Sequence, residues 1–378
     1  MFKNILSLII AAVLTLNAHY SLGDEDFPSR KYVCPPCKHV HSIFETKEYQ
    51  EAGKCPVCGM NLIEKPFFEK DELPTIHAGS GSFQFKSKRS NATTPITVFY
   101  HKPTTYSPNS KILLVIPGAG RNAWSYRDNW AALAEKHNVL VVSPFYPEKD
   151  YSYSAYHLAG VVAGIEFKNY TVSKVDGRVN KYHVADTDVI TGAITPNDTW
   201  LFQDFDEIFD LVVSVAHSDR QSYDIFGHSA GGQILHRFAI LGYSTKVDRI
   251  IAANSGSYTL PHLESEYPLG IKGIEIESKS LKEMFSRKLT LLVGELDNAE
   301  EHRGTLLHTP ALDKQGLGRL SRGRSFYAES MSVAKAMGGD FEWDFCMVEG
   351  VGHERKKMAV AAAKLLYGGE LCTAKMGI

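Results

Sequence analysis

One stretch, residues 223–238, constrains the fold of this chain more than any other. It begins with the β-type run Tyr223–Phe226, turns at Gly227-His228-Ser229-Ala230-Gly231 and continues from Gln233 in a pattern typical of a helix. A Gly-x-Ser-x-Gly turn between a strand and a helix holds its serine in a strained, exposed conformation, because larger side chains on either side would not fit. The stretch therefore predicts that Ser229 stands on a sharp turn after a buried strand.

A serine in this position has chemical consequences. The Ser229 hydroxyl becomes a nucleophile when a base accepts its proton, and the backbone N–H of Ala230 faces an oxyanion that develops on a bound carbonyl group. A second N–H donor is expected from Ala119, in the glycine-bracketed loop Pro117–Arg121 after a predicted strand. The alternatives are a serine that only caps a helix and a loop that is a plain tight turn.

Two further residues complete a serine, acid, histidine order along the chain. Asp297 follows the predicted strand Leu289–Val293, and His353 follows the predicted strand Phe341–Val348. Serine needs an imidazole to take its proton, and the imidazole needs a carboxylate that fixes its tautomer and stabilises its charge. We therefore predict a catalytic triad of Ser229, Asp297 and His353.

Two neighbouring residues compete for roles in this triad. Glu295 lies nearer the strand than Asp297, but Asp297 ends a Gly-x-x-Asp turn that begins at Gly294, which is the usual setting of the acid. His228 is adjacent to the nucleophile, and we expect it to pack within the turn.

Buried-strand and helix patterns alternate over the C-terminal four-fifths of the chain. This alternation predicts an α/β fold with a doubly wound, mostly parallel sheet flanked by helices. We expect a catalytic domain over residues 80–370, with insertions at about 148–197 and 258–287; a lid, a pocket wall and a mobile surface loop are all compatible with the first insertion. The other predicted strands are Ser82–Lys88, Ile96–His101, Lys111–Ile116, Asn138–Ser143 and Arg249–Ala253, and the other predicted helices are Asn122–His137, Thr199–His217 capped by Asp198, and Glu354–Leu366.

This domain resembles the α/β-hydrolase superfamily of serine hydrolases, and within it the exported poly(3-hydroxybutyrate) depolymerase-like and esterase branch. The resemblance implies hydrolysis of a small or polymeric carboxylic ester through an acyl-enzyme intermediate, a step that needs no cofactor. It does not establish polymer cleavage. The motifs that carry it are Gly118-Ala119-Gly120-Arg121-Asn122-Ala123 with Tyr126-Arg127, Gly227-His228-Ser229-Ala230-Gly231, Tyr258-Thr259-Leu260-Pro261 and Gly350-Val351-Gly352-His353.

The N-terminal residues predict export. Met1–Asn4 carries a positive charge, Ile5–Leu16 is apolar, and Leu16-Asn17-Ala18 offers small residues for signal-peptidase cleavage. We expect a signal peptide over residues 1–23 and a secreted or periplasmic mature protein that is not held in a membrane. An uncleaved N-terminal anchor is the alternative, although the apolar run is short for a membrane span.

Four cysteines predict a small metal-binding ribbon over residues 31–65, joined by a linker over residues 66–79 to the catalytic domain. They are Cys34, Cys37, Cys55 and Cys58. Two Cys-x-x-Cys pairs present four thiolates to one tetrahedral ion, and we expect a structural zinc ion there. Two disulfides are the alternative in an oxidising compartment.

The second cysteine pair also carries a resemblance. Gly53–Leu62 is similar to half of the heavy-metal-binding domain found in copper-translocating ATPases and exported metal proteins. The first pair has Cys37 where that family has a Met-His pair, so a structural zinc site is favoured over copper transfer. His39, His41 and Met60 are alternative ligands.

Charge and the last two cysteines add little to these predictions. A formal net charge of -2 gives no field that would attract nucleic acid or an acidic membrane, so we expect neither as a partner. Cys346 and Cys372 form either a disulfide or two separate thiols.

Three other functions remain open beside the exported ester hydrolase. A serine exopeptidase or amidase uses the same triad. The chain is alternatively a metal-handling protein whose hydrolase domain is a scaffold, or its ribbon is a docking module for another exported protein. The acyl group, the alcohol and the oligomeric state are not encoded in any motif of this one sequence.

Overall fold

The computed structural model describes residues 31–34, 47–57, 59–65, 73–242, 244–276 and 278–369. The chain divides into two units, Met1–Lys65 and Pro66–Ile378. The predicted signal peptide, residues 1–23, lies outside the described residues, as do Cys37, Cys58 and Cys372. No helix in the described part is long and apolar enough to cross a membrane.

The first unit contains a small antiparallel pair of strands, β1 (Tyr32–Val33) and β2 (Ile63–Glu64). Cys34 and Cys55 are buried. The chain turns tightly after Cys55, whose backbone N–H donates to the Met60 carbonyl at 2.7 Å. Among the residues that the structure describes, no group of three or more metal-binding side chains is placed to hold an ion. Since two of the four cysteines are not among them, the zinc site stays a prediction.

The second unit is an eight-stranded sheet with helices on both faces, and two smaller sheets beside it. Its described strands are β3 (Gly79–Phe85), β4 (Ile96–Lys102), β5 (Lys111–Ile116), β6 (Val139–Phe145), β7 (Ile165–Phe167), β8 (Tyr170–Val175), β9 (Arg178–Val184), β10 (Val189–Thr191), β11 (Tyr223–His228), β12 (Val247–Ala253), β13 (Leu289–Gly294), β14 (Leu306–His308) and β15 (Asp344–Val348). Its described helices are α1 (Ala123–His137), α2 (Tyr153–His157), α3 (Gln203–Ala216), α4 (Ala230–Leu241), α5 (Ser278–Glu283), α6 (Pro310–Asp313), α7 (Arg319–Ala336) and α8 (Arg355–Tyr367).

The large sheet has the strand order β15-β13-β12-β11-β5-β6-β4-β3. All neighbours from β15 to β6 are parallel, whereas β4 pairs antiparallel with both β6 and β3. The predicted doubly wound, mostly parallel sheet is therefore confirmed. Because the strands are parallel, the segments after β5, β11, β13 and β15 all leave the sheet at one edge.

Alternation along the strands divides the core into two layers. In β5, Ile112 and Leu114 pack in the layer that contains α3 and α4, whereas Leu113 and Val115 pack in the layer that contains α1 and α8. Both faces of β5 are covered, which explains why its sequence is a continuous apolar run.

Several predicted boundaries need correction. The helix expected from Thr199 begins at Gln203, because Asn197–Thr199 forms a separate 3-10 turn, and the strand expected from Phe341 begins at Asp344. Asn122 precedes α1, but its side chain makes no capping hydrogen bond. Helix α7 was not predicted, since its buried face includes Arg319 and Arg322 and so lacks a continuous apolar stripe.

The insertion at 148–197 contains more structure than its weak periodicity indicates. Strands β8 and β9 form an antiparallel hairpin, and β14 joins β9 from a distant part of the chain. A second pair, β7 and β10, is also antiparallel. These pairings fold the segment into two small sheets.

A buried carboxylate fixes the start of α3. The Asp204 side chain is fully buried and accepts hydrogen bonds from Ser87, from Arg89 Nε at 2.9 Å and from the Tyr146 hydroxyl at 3.1 Å. The Arg89 side chain is itself almost fully buried, and its ion pair with Asp204 raises its pKa against the effect of burial, which lowers it.

We predict that Asp204→Ala lowers the free energy of unfolding by about 3–5 kcal/mol, because it leaves the Arg89 charge buried and unpaired. The matched control is Asp210→Ala on the same helix. Asp210 pairs with Lys246 at 2.6 Å but is more than half exposed, so its removal should cost no more than about 1 kcal/mol. Urea denaturation of both variants measures the difference, and equal losses would contradict the prediction.

Candidate active site

Ser229 occupies the turn that its sequence predicts. It lies between β11 and α4 with φ 60° and ψ −116°, a conformation that costs a non-glycine residue about 1–3 kcal/mol. The glycines on either side are required by close packing. A Cβ atom on Gly227 would collide with the Gly231 carbonyl, and one on Gly231 would collide with the carbonyl of Ile116 at the end of β5.

The loop after β5 lies against this turn. A Cβ atom placed on Gly118 would be 3.2 Å from the Cβ of Ser229, and the next residue, Ala119, is exposed. The loop is closed by a hydrogen bond from the Arg121 N–H to the Gly118 carbonyl at 2.9 Å. Ala230 begins α4 and is buried. The two predicted N–H donors thus belong to segments that flank Ser229.

Asp297 and His353 are brought together from the ends of β13 and β15. Asp297 Oδ2 lies 2.7 Å from His353 Nδ1, and both side chains are buried. The competing carboxylate has a different partner, since Glu295 Oε2 accepts the Gly350 N–H at 2.8 Å. Glu295 therefore anchors the loop that carries the histidine.

His228 connects the turn to His353 and Tyr126. Its ring lies 4.6 Å from the His353 ring, centroid to centroid, and its Nδ1 lies 3.1 Å from the Tyr126 hydroxyl. It is buried, as predicted for a packing residue, and burial lowers its pKa well below the usual value. The His228 ring therefore contacts both Tyr126 and His353 within the site.

Arg319, the first residue of α7, is a site residue that the sequence patterns do not reveal. Its Nη1 donates to Asp297 Oδ1 at 3.0 Å, and its Nη2 donates to the Thr305 carbonyl at 3.0 Å. Asp297 is thus shared between an arginine on one oxygen and His353 on the other. No motif identifies Arg319, because it stands in a stretch without predicted structure.

Burial and the Arg319 charge favour the neutral form of His353. Burial lowers its pKa well below the usual value, and the Arg319 charge lowers it further. Burial raises the pKa of Asp297, an effect that Arg319 opposes. The nearby Glu301 accepts the His353 N–H at 2.8 Å; burial raises its pKa, but hydrogen bonds from Arg303 and from this N–H prevail and lower it to about 2. A neutral His353 is able to accept a proton at neutral pH.

A second arginine, Arg121, ends the loop after β5. The Arg121 side chain is buried over the ring of Tyr156, 4.9 Å from its centroid, while Tyr156 donates to the Pro117 carbonyl. Its Nη2 reaches the Ser152 carbonyl at 3.4 Å, but its Nε and Nη1 make no hydrogen bond in the described structure. Its ion-pair partner is Glu148, at 3.8 Å, and that side chain is 89% exposed.

Two solved structures are similar to this chain over most of its length. Poly(aspartic acid) hydrolase-1 from Sphingomonas sp. KT-1 is 32% identical, with a TM-score of 0.66 over 77% of this chain and 100% of that one. The chain belongs to the α/β-hydrolase family. LpqC, a poly(3-hydroxybutyrate) depolymerase from Bordetella parapertussis, is 25% identical, with a TM-score of 0.66 over 79% of this chain and 92% of that one. No protein-family model and no curated protein matches the sequence.

We predict that Arg319→Gln raises the pH at which activity appears by roughly one unit. The base must be neutral to work, so activity is present above the pKa of His353 and is lost as the pH falls through it. Removing the Arg319 charge removes one cause that lowers this pKa, so the acid limb of the pH–activity profile moves to higher pH. The rate of fluorophosphonate labelling, followed as a function of pH, measures this shift.

Two variants make this test specific. Arg319→Lys keeps the charge and should shift the acid limb less, and Arg324→Gln changes an exposed arginine of the same helix and should not shift it. If the acid limb of a folded Arg319→Gln protein stays in place or moves to lower pH, the Arg319 charge does not lower the pKa of His353 as proposed.

Proposed function

We propose that the protein is an exported serine hydrolase that cleaves carboxylic esters through an acyl-enzyme intermediate. One observation carries the proposal: the Asp297–His353 pair, held at 2.7 Å, lies at the same edge of the sheet as the strained turn of Ser229. The likeness to a poly(3-hydroxybutyrate) depolymerase supports an ester as the substrate. Small and polymeric esters both fit this proposal.

In the proposed mechanism His353 accepts the Ser229 proton while the serine oxygen attacks the ester carbonyl. The N–H groups of Ala119 and Ala230 stabilise the oxyanion, and Asp297 stabilises the imidazolium. His353 then gives its proton to the departing alcohol, which leaves the acyl group on Ser229. Water, deprotonated by the same imidazole, attacks this acyl group and releases the acid and free Ser229.

Amide hydrolysis is a second candidate that a specific observation favours. The relative with 32% identity is a poly(aspartic acid) hydrolase, and the buried guanidinium of Arg121, in the loop after β5, has two nitrogens that make no hydrogen bond within the described residues. A carboxylate on the substrate would suit such a group. The same triad serves both reactions, so the bond that is cleaved must be measured.

Export has separate support in the second unit. Cys346, in β15, is disulfide-bonded. Disulfides persist in oxidising compartments and are rare in the cytosol, which agrees with the signal peptide expected at residues 1–23 and with a secreted or periplasmic location.

For the N-terminal unit we propose a structural zinc ion held by Cys34, Cys37, Cys55 and Cys58. The buried Cys55 at the tight turn that ends at Met60 supports it, because such turns aim N–H groups and thiolates around a metal. Metal handling and docking of another exported protein remain the alternatives for this unit.

We predict that Ser229→Ala lowers the hydrolysis of p-nitrophenyl esters by at least about 10³-fold and abolishes labelling by a fluorophosphonate. Mass spectrometry of the labelled native protein should place the adduct on Ser229. A matched control is Ser255→Ala, which removes a hydroxyl from a buried serine outside the proposed triad. An adduct elsewhere, or full activity of the Ser229→Ala protein, would falsify the nucleophile assignment.

Assays of the same purified protein distinguish ester hydrolysis from amide hydrolysis. A panel of esters of increasing acyl length is compared with poly(aspartic acid) and with small aspartyl amides. Turnover of esters alone supports the main proposal. Faster turnover of the acidic amides, weakened by Arg121→Gln, would favour the second candidate.

We predict one zinc ion per chain in the purified full-length mature protein, measured by elemental analysis. Cys55→Ser should lose the zinc because it removes one of four thiolates, whereas Ser229→Ala should keep it. Ester hydrolysis should continue after chelation if the metal is structural and confined to the first unit. Exchangeable copper(I) in place of zinc would instead indicate metal handling.

A further inference from the structure

A cavity lies among the insertions, and none of the proposed triad residues lines it. Its volume is about 430 Å³, within the range of small-molecule sites. Most of its wall is apolar or aromatic, with Leu158, Phe167, Tyr267 and Leu312 as examples. The cavity therefore suits a ligand with an apolar body.

Arg237 supplies a buried positive charge to the wall of this cavity. Its side chain is almost completely buried, and its described hydrogen bonds all go to neutral acceptors. These are Thr259 Oγ1 at 2.9 Å, the His157 and Gln233 carbonyls at 3.0 Å, and Ser257 Oγ at 3.5 Å. In the described structure no carboxylate pairs with it, unlike Arg89 and Arg319.

A buried guanidinium without a counter-ion is costly, and a carboxylate is its best partner because two parallel N–H donors fit two oxygens. The long 3.5 Å contact to Ser257 leaves Nη2 as the nitrogen with the weakest partner. Ser257 and Thr309 also line the cavity. The Ser257 hydroxyl donates to Gln233 Oε1 at 3.1 Å, so the hydroxyl of Thr309 is the further donor.

Two acidic residues at the cavity limit the charge of the ligand. Asp186 Oδ1 accepts the Ala311 N–H at 3.1 Å, and Glu266 is 80% exposed with Lys272 at 3.8 Å. Both would repel a second negative charge. The lining thus favours one carboxylate on an apolar body over a polyanion.

We propose that the cavity between the two insertions is a binding site for a monocarboxylate with an apolar body, whose carboxylate pairs with Arg237. The site does not depend on the proposed reaction, since it contains none of the residues assigned to it. Its ligand is either an acidic effector or a remote part of the substrate, which share this chemistry.

Calorimetric titration of the native full-length protein with 4-phenylbutyrate tests the proposal, with neutral 4-phenylbutyramide as the matched ligand. We expect the carboxylate to bind at least about tenfold more tightly, because only it forms a charge-assisted pair. Thr191→Trp should weaken this binding at least tenfold by filling the cavity from strand β10, an edge position where a large aromatic residue is tolerated. Equal binding of the two ligands, or unchanged binding in Thr191→Trp, would overturn the proposal.

Further variants distinguish the effect of the Arg237 charge from effects on folding and on the active site. Arg237→Gln should abolish the preference for the carboxylate, whereas Arg287→Gln, which removes another arginine that caps carbonyls of α4, should keep it. Hydrolysis of a short p-nitrophenyl ester, a substrate without a remote carboxylate, reports the folding of Thr191→Trp and should stay within about twofold of native. Inhibition of that hydrolysis by 4-phenylbutyrate, undiminished in Thr191→Trp, would place the acid in the catalytic cleft and refute the separate site.

Discussion

The buried carboxylate of Asp297 connects three segments on which the candidate site depends. Its oxygens bind His353 at 2.7 Å and Arg319 at 3.0 Å, and its backbone carbonyl accepts the Leu320 N–H at 2.8 Å. A lone carboxylate at this depth would be neutralised by protonation. The permanent charge of Arg319 offsets that tendency, but the same charge lowers the pKa of His353. The Arg319 charge therefore favours the ionised form of the acid and at the same time weakens the base.

The rest of the site follows from the parallel sheet. Strands β5, β11, β13 and β15 end at one edge, so residues far apart in sequence meet there without long connections. The conformational cost of the site falls on the turn at Ser229, whose backbone conformation is unfavourable. Gly227 and Gly231, on either side of it, are in close contact with carbonyl groups. Packing of β5, β11 and β12 on both faces supplies the stability that holds this conformation.

The sequence predicted those parts of the fold in which local pattern and burial agree. Strands such as β5 are apolar throughout because both faces are covered, and the turn at Ser229 has a sequence that few other conformations accept. The arrangement of Asp297 and His353 followed from chain order. The insertion at 148–197 was not predictable, because β9 pairs with β14 across more than a hundred residues and no local pattern records that pairing.

Helix α7 and its arginines show why charged residues are the harder part of the prediction. In the sequence Arg319 and Arg322 argue against a buried face, whereas in the structure Asp297 and Asp313 pair with them. The buried arginines of this chain differ in the partners of their side chains, but no local sequence pattern distinguishes them. Arg89 and Arg319 each pair with a buried aspartate and serve the fold, while Arg121 has only a distant, exposed carboxylate and Arg237 has neutral acceptors. Because burying an unpaired charge is unfavourable, a ligand carboxylate would contribute most to stability at Arg121 and Arg237.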